Sequence, residues 1–206
     1  MSYAIPIYNK NLESVRPALN FENAFQHQLE TVKNQLPTLK TSRIILREII
    51  ETDLENIYKG LSDPDVIKHY GISFDSPEAT KEQMRWFAEP SQFWWAICSA
   101  DNKTFFGAGG LNNFSEEHKK AEIGLWLLPK FWGQGIMREA MPLICDYGFK
   151  ELEIHRIEGF VETDNLNCKR AMAKLDFNHE GTMKESEIKN GKFISVDIYA
   201  RLKDSN

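Results

Sequence analysis

The stretch Ile123-Gly-Leu-Trp-Leu-Leu-Pro-Lys-Phe-Trp-Gly-Gln-Gly-Ile-Met-Arg-Glu139 carries three signals in succession. The apolar run from Ile123 to Leu128 reads as a strand, Pro129 ends it, and a helical pattern opens at about Gly135. Between them Gly133 and Gly135 remove two Cβ atoms, so consecutive backbone N–H groups at the helix start can turn toward one anion, a phosphate or a pyrophosphate. Two glycines one residue apart also suit an ordinary strand-to-helix turn, and the rest of the chain decides between these readings.

On the C-terminal side, the helix extends to Lys150 with Ile136, Ala140, Leu143, Ile144 and Tyr147 as its buried stripe, and Pro142 interrupts its hydrogen bonding. His155 to Val161 reads as a strand, Asn165 to Leu175 as a helix and Phe177 to Ile188 as a strand. Asn190-Gly191 then turns a hairpin into Phe193 to Leu202.

On the N-terminal side, Ser42 to Ile49 is a β-branched strand, after which Thr52 can cap a helix to Leu61. Asp63-Pro64-Asp65 opens a short turn, and Ser76-Pro77 starts a helix that ends before Pro90. Phe93 to Ser99 and Thr104 to Leu111 form an antiparallel ribbon around Ala100 to Lys103. Ahead of all this, residues 1–40 form an extension in which Phe21, Phe25, Leu29, Val32 and Leu36 mark one face of an amphipathic helix over Glu22 to Gln35. That face covers either the domain's own core or a second copy in a homodimer.

A chain of 206 residues suffices for one domain with a sizeable core. Its net charge of −5 supplies no basic footprint for nucleic acid. Cys98, Cys145 and Cys168 show no metal or disulfide spacing, and no apolar segment reaches 18 residues. With no signal-peptide layout at the N-terminus, the expectation is a soluble cytoplasmic protein that uses neither membrane nor metal.

The order of elements and the loop residues make a family recognisable. Residues 41–202 resemble the GCN5-related N-acetyltransferases (GNAT), and within them the ribosomal-protein N-acetyltransferase (RimJ/RimL-like) branch. Trp132, Gly135 and Met137 stand at the three family positions of the acetyl-CoA loop, followed by Glu139-Ala140. Arg156-Ile157-Glu158, Asn165-x-x-Cys168 and Lys174-Leu175-Asp176-Phe177 resemble further branch motifs. The chain departs from the pattern at Trp132 for Arg or Gln, Met137 for a small residue, Cys168 for Ser and Asp176 for Gly.

The resemblance implies an α+β fold, a strongly twisted, mixed but mostly antiparallel seven-stranded sheet flanked by helices, whose fourth and fifth strands splay. Acetyl-CoA would lie in that wedge, its pantetheine against the backbone of Trp126, Leu127 and Leu128. The pyrophosphate would sit on the amides of Gly133, Gln134, Gly135, Ile136 and Met137 beside Trp132.

Acetyl transfer needs an unprotonated amine, oxyanion stabilisation and a proton acceptor. Glu122 is the candidate base, because alternation with Ala121 and Ile123 aims its carboxylate at one sheet face near the splay. Met172 occupies the position where many relatives carry a Tyr that protonates the leaving thiolate, and a thioether cannot do so. Asn165 either caps the last helix or reaches the pantetheine, and Cys168 is a small neighbour of the cofactor rather than a nucleophile. Tyr70, Phe74, Trp86, Phe87, Asn112 and Asn113 are candidates for the acceptor pocket, and at least two of Trp86, Trp94 and Trp95 belong to the core. His69, His118, His155 and His179 are assigned to packing or surface positions. The acceptor is expected to be a protein N-terminal α-amine, with a polyamine or antibiotic amine as alternative. A non-catalytic acyl-CoA-binding regulator is the remaining reading.

Overall fold

The computed structural model describes residues 36–203. The amphipathic helix expected at Glu22 to Gln35 lies outside them. Among the described residues no helix is long and apolar enough to cross a membrane.

Among the described residues a single sheet organises the fold, formed by eight strands: β1 (Leu39–Lys40), β2 (Ile44–Glu48), β3 (Phe93–Ser99), β4 (Phe105–Ser115), β5 (Lys120–Leu127), β6 (Arg156–Glu162), β7 (Asn178–Lys189) and β8 (Lys192–Leu202). Their order is β1-β2-β3-β4-β5-β6-β8-β7. The eighth strand, beyond the expected seven, is β1, which pairs Leu39 with Leu46 and Lys40 with Ile45. A turn closed by Thr41 makes that pairing possible, its N–H donating to Ile44 C=O at 2.9 Å while its hydroxyl accepts from the N–H groups of Arg43 and Ile44. The sheet therefore starts two residues ahead of the expected domain boundary.

Helices cover both faces: α1 (Leu54–Leu61), α2 (Pro64–Ile67) and α3 (Pro77–Phe87) on one, α4 (Ile136–Lys150) and α5 (Leu166–Ala173) on the other. Ser76 caps α3 through Ala79 N–H and Asp63 caps α2 through Asp65 N–H, each with proline at the first helical position. Thr52 does not cap α1 as expected. It lies inside a 3-10 turn over Glu51–Asp53, and the adjacent Asp53 is taken up by Arg47 at 2.7 and 2.8 Å and by Ile50 N–H. Asn190 and Gly191 both take left-handed φ, 50° and 73°, as the tight β7–β8 hairpin requires. Asp176 also has a positive φ of 62°, which a short polar side chain tolerates.

Period-two alternation sorts β5 into two cores. Ala121, Ile123, Leu125 and Leu127 join α4 and α5. Trp126 turns the other way, with Trp94, Ala108, Ile57 and Tyr70. Space there is tight, since a Cβ on Gly60 of α1 would lie 2.0 Å from the Trp126 ring.

Candidate functional site

Among the described residues β5 and β6 are the only parallel neighbours, and they pair for three rungs: Lys120↔Arg156, Ala121↔Ile157 and Glu122↔Glu158. Beyond Glu122, β5 continues with β4 while β6 continues with β8, so the two strands part and a wedge opens toward their C-terminal ends.

At the mouth of the wedge stands the glycine loop. Gly133 and Gly135 both adopt left-handed φ, 75° and 80°, and Gly135 is the N-cap of α4. A braced frame holds this turn. Arg43 donates to Glu139 at 2.7 Å and to the Gln134 carbonyl at 3.0 Å, and the Thr41 hydroxyl donates to the other Glu139 oxygen at 2.7 Å. A cavity of about 340 Å³ adjoins the loop, lined by Gly133, Gly135, Met137, Arg138, Arg170 and Lys174 among others. Two glycines at a helix N-terminus facing three cations form a site whose chemistry suits a pyrophosphate.

Backbone direction along β5 sharpens the expected cofactor contacts. Leu128 N–H donates to Phe106 C=O at 2.8 Å, and antiparallel rungs alternate, so Trp126 spends its backbone groups on β4, while Leu128 spends its N–H on β4 and its carbonyl on Phe131 N–H at 2.9 Å. Leu125 and Leu127 are the residues whose backbone turns toward the wedge. Of these, the Leu127 carbonyl accepts the Trp132 indole N–H at 2.7 Å. The expectation for Trp126 and Leu128 thus shifts to their neighbours, because rung parity cannot be assigned until strand pairing is known.

Asn165 caps α5, its side chain accepting from Cys168 N–H at 3.1 Å, and it lines a second cavity of about 350 Å³ with Trp132, His69, Asp164 and Arg170. Cys168 is fully buried, and burial pushes its thiol up to about 12, far from the thiolate range that nucleophilic attack needs. Met172 is buried on the same helix.

The opposite face of the last paired rung carries the Glu122 carboxylate. Glu122 lies between Asn112 of β4 and Glu158 of β6. Asn112, 1% exposed, donates its amide to Glu122 at 3.3 Å, while its Oδ1 is buried without a hydrogen-bond partner. Burial pushes the Glu122 carboxyl up to about 7; the Glu158 charge adds to that, and Asn113, Lys120 and Asn112 oppose it. Glu158 is itself held by Arg156 at 2.7 Å and Lys120 at 3.2 Å, so Arg156 ties β6 to its neighbours.

The remaining candidates separate. Tyr70 is 2% exposed within the α1–α3 core, and Phe74 and Trp86 pack at its margin, Trp86 edge-on to Trp94. Trp94 and Trp95 are core residues. His69 is buried and bonded to Glu162 at 2.8 Å, with Asp164 at 3.5 Å; Lys189 holds the other Glu162 oxygen at 2.5 Å. Nothing in the sequence pattern joins these residues, or ties Arg43 to the glycine loop, because each set spans separate elements.

Fold and site define an N-acetyltransferase that draws its acetyl group from acetyl-CoA. The model of the acetyltransferase (GNAT) domain family matches residues 43–178, and the chain belongs to that family. It is 31% identical over 172 residues to YoaA of Bacillus subtilis, an uncharacterized N-acetyltransferase, covering 81% of this chain and 97% of that one. It is 30% identical over 99 residues to the ribosomal-protein-serine acetyltransferase of Escherichia coli, 48% of this chain and 55% of that one. The spermidine N-acetyltransferase of Vibrio cholerae, solved with CoA and spermine, superposes with a TM-score of 0.72 at 21% identity, over 79% of this chain and 96% of that one.

Proposed function

We propose that the enzyme acetylates a protein or peptide N-terminal α-amine in the manner of the RimJ/RimL-like branch, with Glu122 as general base. The Glu122–Asn112 pair carries this reading. A base near 7 meets an α-ammonium group, with a pKa of about 8, at a cost of about tenfold in proton transfer, whereas an alkylammonium near 10.4 costs about a thousandfold. Acetyl-CoA supplies the activated thioester. The chain's own residues do the rest: the Asn112 Oδ1 accepts one N–H of the amine and orients its lone pair, and Glu122 takes the proton that the nitrogen loses as the amide forms.

Gly133 to Met137 hold the pyrophosphate with Arg170 and Lys174, and the wedge-facing backbone of Leu125 and Leu127 aligns the pantetheine. Met172 donates no proton, and a thiolate whose conjugate acid lies near 8.5 leaves without one. Three free, buried cysteines fit work in a reducing cytoplasm. Thiol release from acetyl-CoA, followed against a panel of N-terminal peptides, polyamines and aminoglycosides, tests the acceptor. Peptide-dependent release should exceed the others at pH 7; faster turnover of spermidine than of every peptide would overturn the reading in favour of a small amine.

A further inference from the structure

Past the Glu122↔Glu158 rung, the first residues to face each other across the parted strands are Ile123 and Gly159. Both lie on the face that α4 and α5 cover. Gly159 has no left-handed φ that would demand a glycine, and its neighbour supplies another reason. A Cβ there would lie 2.4 Å from the Met172 methyl carbon, 3.8 Å from its sulfur and 3.6 Å from Ile123 Cγ2. The Met172 thioether therefore lies over Gly159, whose other close neighbour is Ile123, at the point where the strands separate. It is fully buried. The cavity beside the glycine loop is lined by Leu127 and by Ala171, the residue before Met172.

We propose that Met172 sets the length of the acyl group, its side chain filling the floor of the wedge so that a two-carbon chain fits and longer chains do not. The proposal rests on acetyl-CoA entering the wedge. It gives the position a role that does not depend on proton donation. A thioether is apolar and flexible enough to close an irregular gap, and Gly159 is the partner that leaves room for it. Shortening Met172 would convert that filled volume into space for additional methylenes, each contributing about fourfold in affinity when buried.

Calorimetry with CoA, S-ethyl-CoA and S-butyl-CoA tests this without any acceptor. The wild-type chain should bind S-ethyl-CoA at least about tenfold more tightly than S-butyl-CoA. In Met172→Ala the preference should reverse, to about fifteenfold in favour of S-butyl-CoA as two further methylenes are buried, with affinity for CoA itself unchanged. Met172→Leu, of similar volume, should keep the wild-type ratio, and Gly159→Ala added to Met172→Ala should return it part of the way. If Met172→Ala does not fold, Met172→Val serves as the milder truncation. A wild-type ratio retained in the truncated chain, or wild-type binding of S-butyl-CoA as tight as S-ethyl-CoA, overturns the proposal. Failure of the wild-type chain to bind CoA would instead overturn the wedge as the cofactor site.

Discussion

The two faces of the wedge are built from different materials. On the α4–α5 side the glycine loop and the β5 edge offer backbone groups, held in place by Arg43, Glu139 and Trp132. On the α1–α3 side the groups that matter are side chains, Glu122 and Asn112, brought together by strand register. A backbone site tolerates changes of side chain as long as the turn survives, whereas a side-chain site fails with a single atom. Substitutions on the two faces should therefore separate affinity for the donor from chemistry on the acceptor.

The sharpest break in that comparison is Glu122→Gln, which keeps the shape and the Asn112 contact while removing the base. Turnover should fall by about a hundredfold or more, with affinity for acetyl-CoA unchanged. In the wild type kcat/KM should rise with pH through about 7, and this limb should vanish in the variant. Stability moves in the opposite sense. The folded-state pKa of Glu122 is raised above the ordinary value, so its ionisation costs stability as pH climbs from about 4.5 to about 7. Glu122→Gln should match the wild-type melting temperature at pH 4 and exceed it at pH 8. Unchanged turnover at every pH would remove Glu122 from the mechanism.

The complementary break is Gly135→Ala. Its nearest neighbour, Arg43 Nη1, is 3.9 Å from the new Cβ, so space is not limiting. The φ of 80° is, and holding Ala there costs about 1–2 kcal/mol. As the backbone relaxes, the amides turn from the anion. The dissociation constant for CoA should rise about tenfold while kcat at saturation stays near wild type, read by calorimetry and steady-state kinetics. Loss of kcat with unchanged affinity would contradict the division between the faces.

This division also explains what could be read from the chain before it folded. Gly133, Gly135 and the helix after them are contiguous, and local backbone chemistry betrays them. Glu122 was legible because alternation along one strand sets its face. Arg43 meets Glu139 across 96 residues, and His69 meets Glu162 across 93. No local pattern carries such a pairing. The replacement of Trp126 and Leu128 by Leu125, with Leu127 kept, has the same origin, since which backbone groups β5 turns outward depends on β4. β1 was missed because two residues are too few to show a period.

The smallest expected effect sharpens the acceptor side from within. Glu158 faces Glu122 across the last parallel rung, and its charge is the second cause, after burial, that raises the Glu122 carboxyl. Glu158→Gln removes that charge and keeps the shape. Arg156 retains Glu180, which it grips at 2.9 and 2.5 Å, so β6 should stay in place. Lys120, no longer facing a carboxylate at Glu158, then favours the ionised form of Glu122. Both changes act in one direction, and the acid limb of kcat/KM should move toward lower pH. It should stop well short of the 4.3 of a free glutamate, because burial is unaltered. With Glu122 a weaker base, the plateau rate should fall modestly. A limb that stays in place would mean that the two carboxylates do not sense each other.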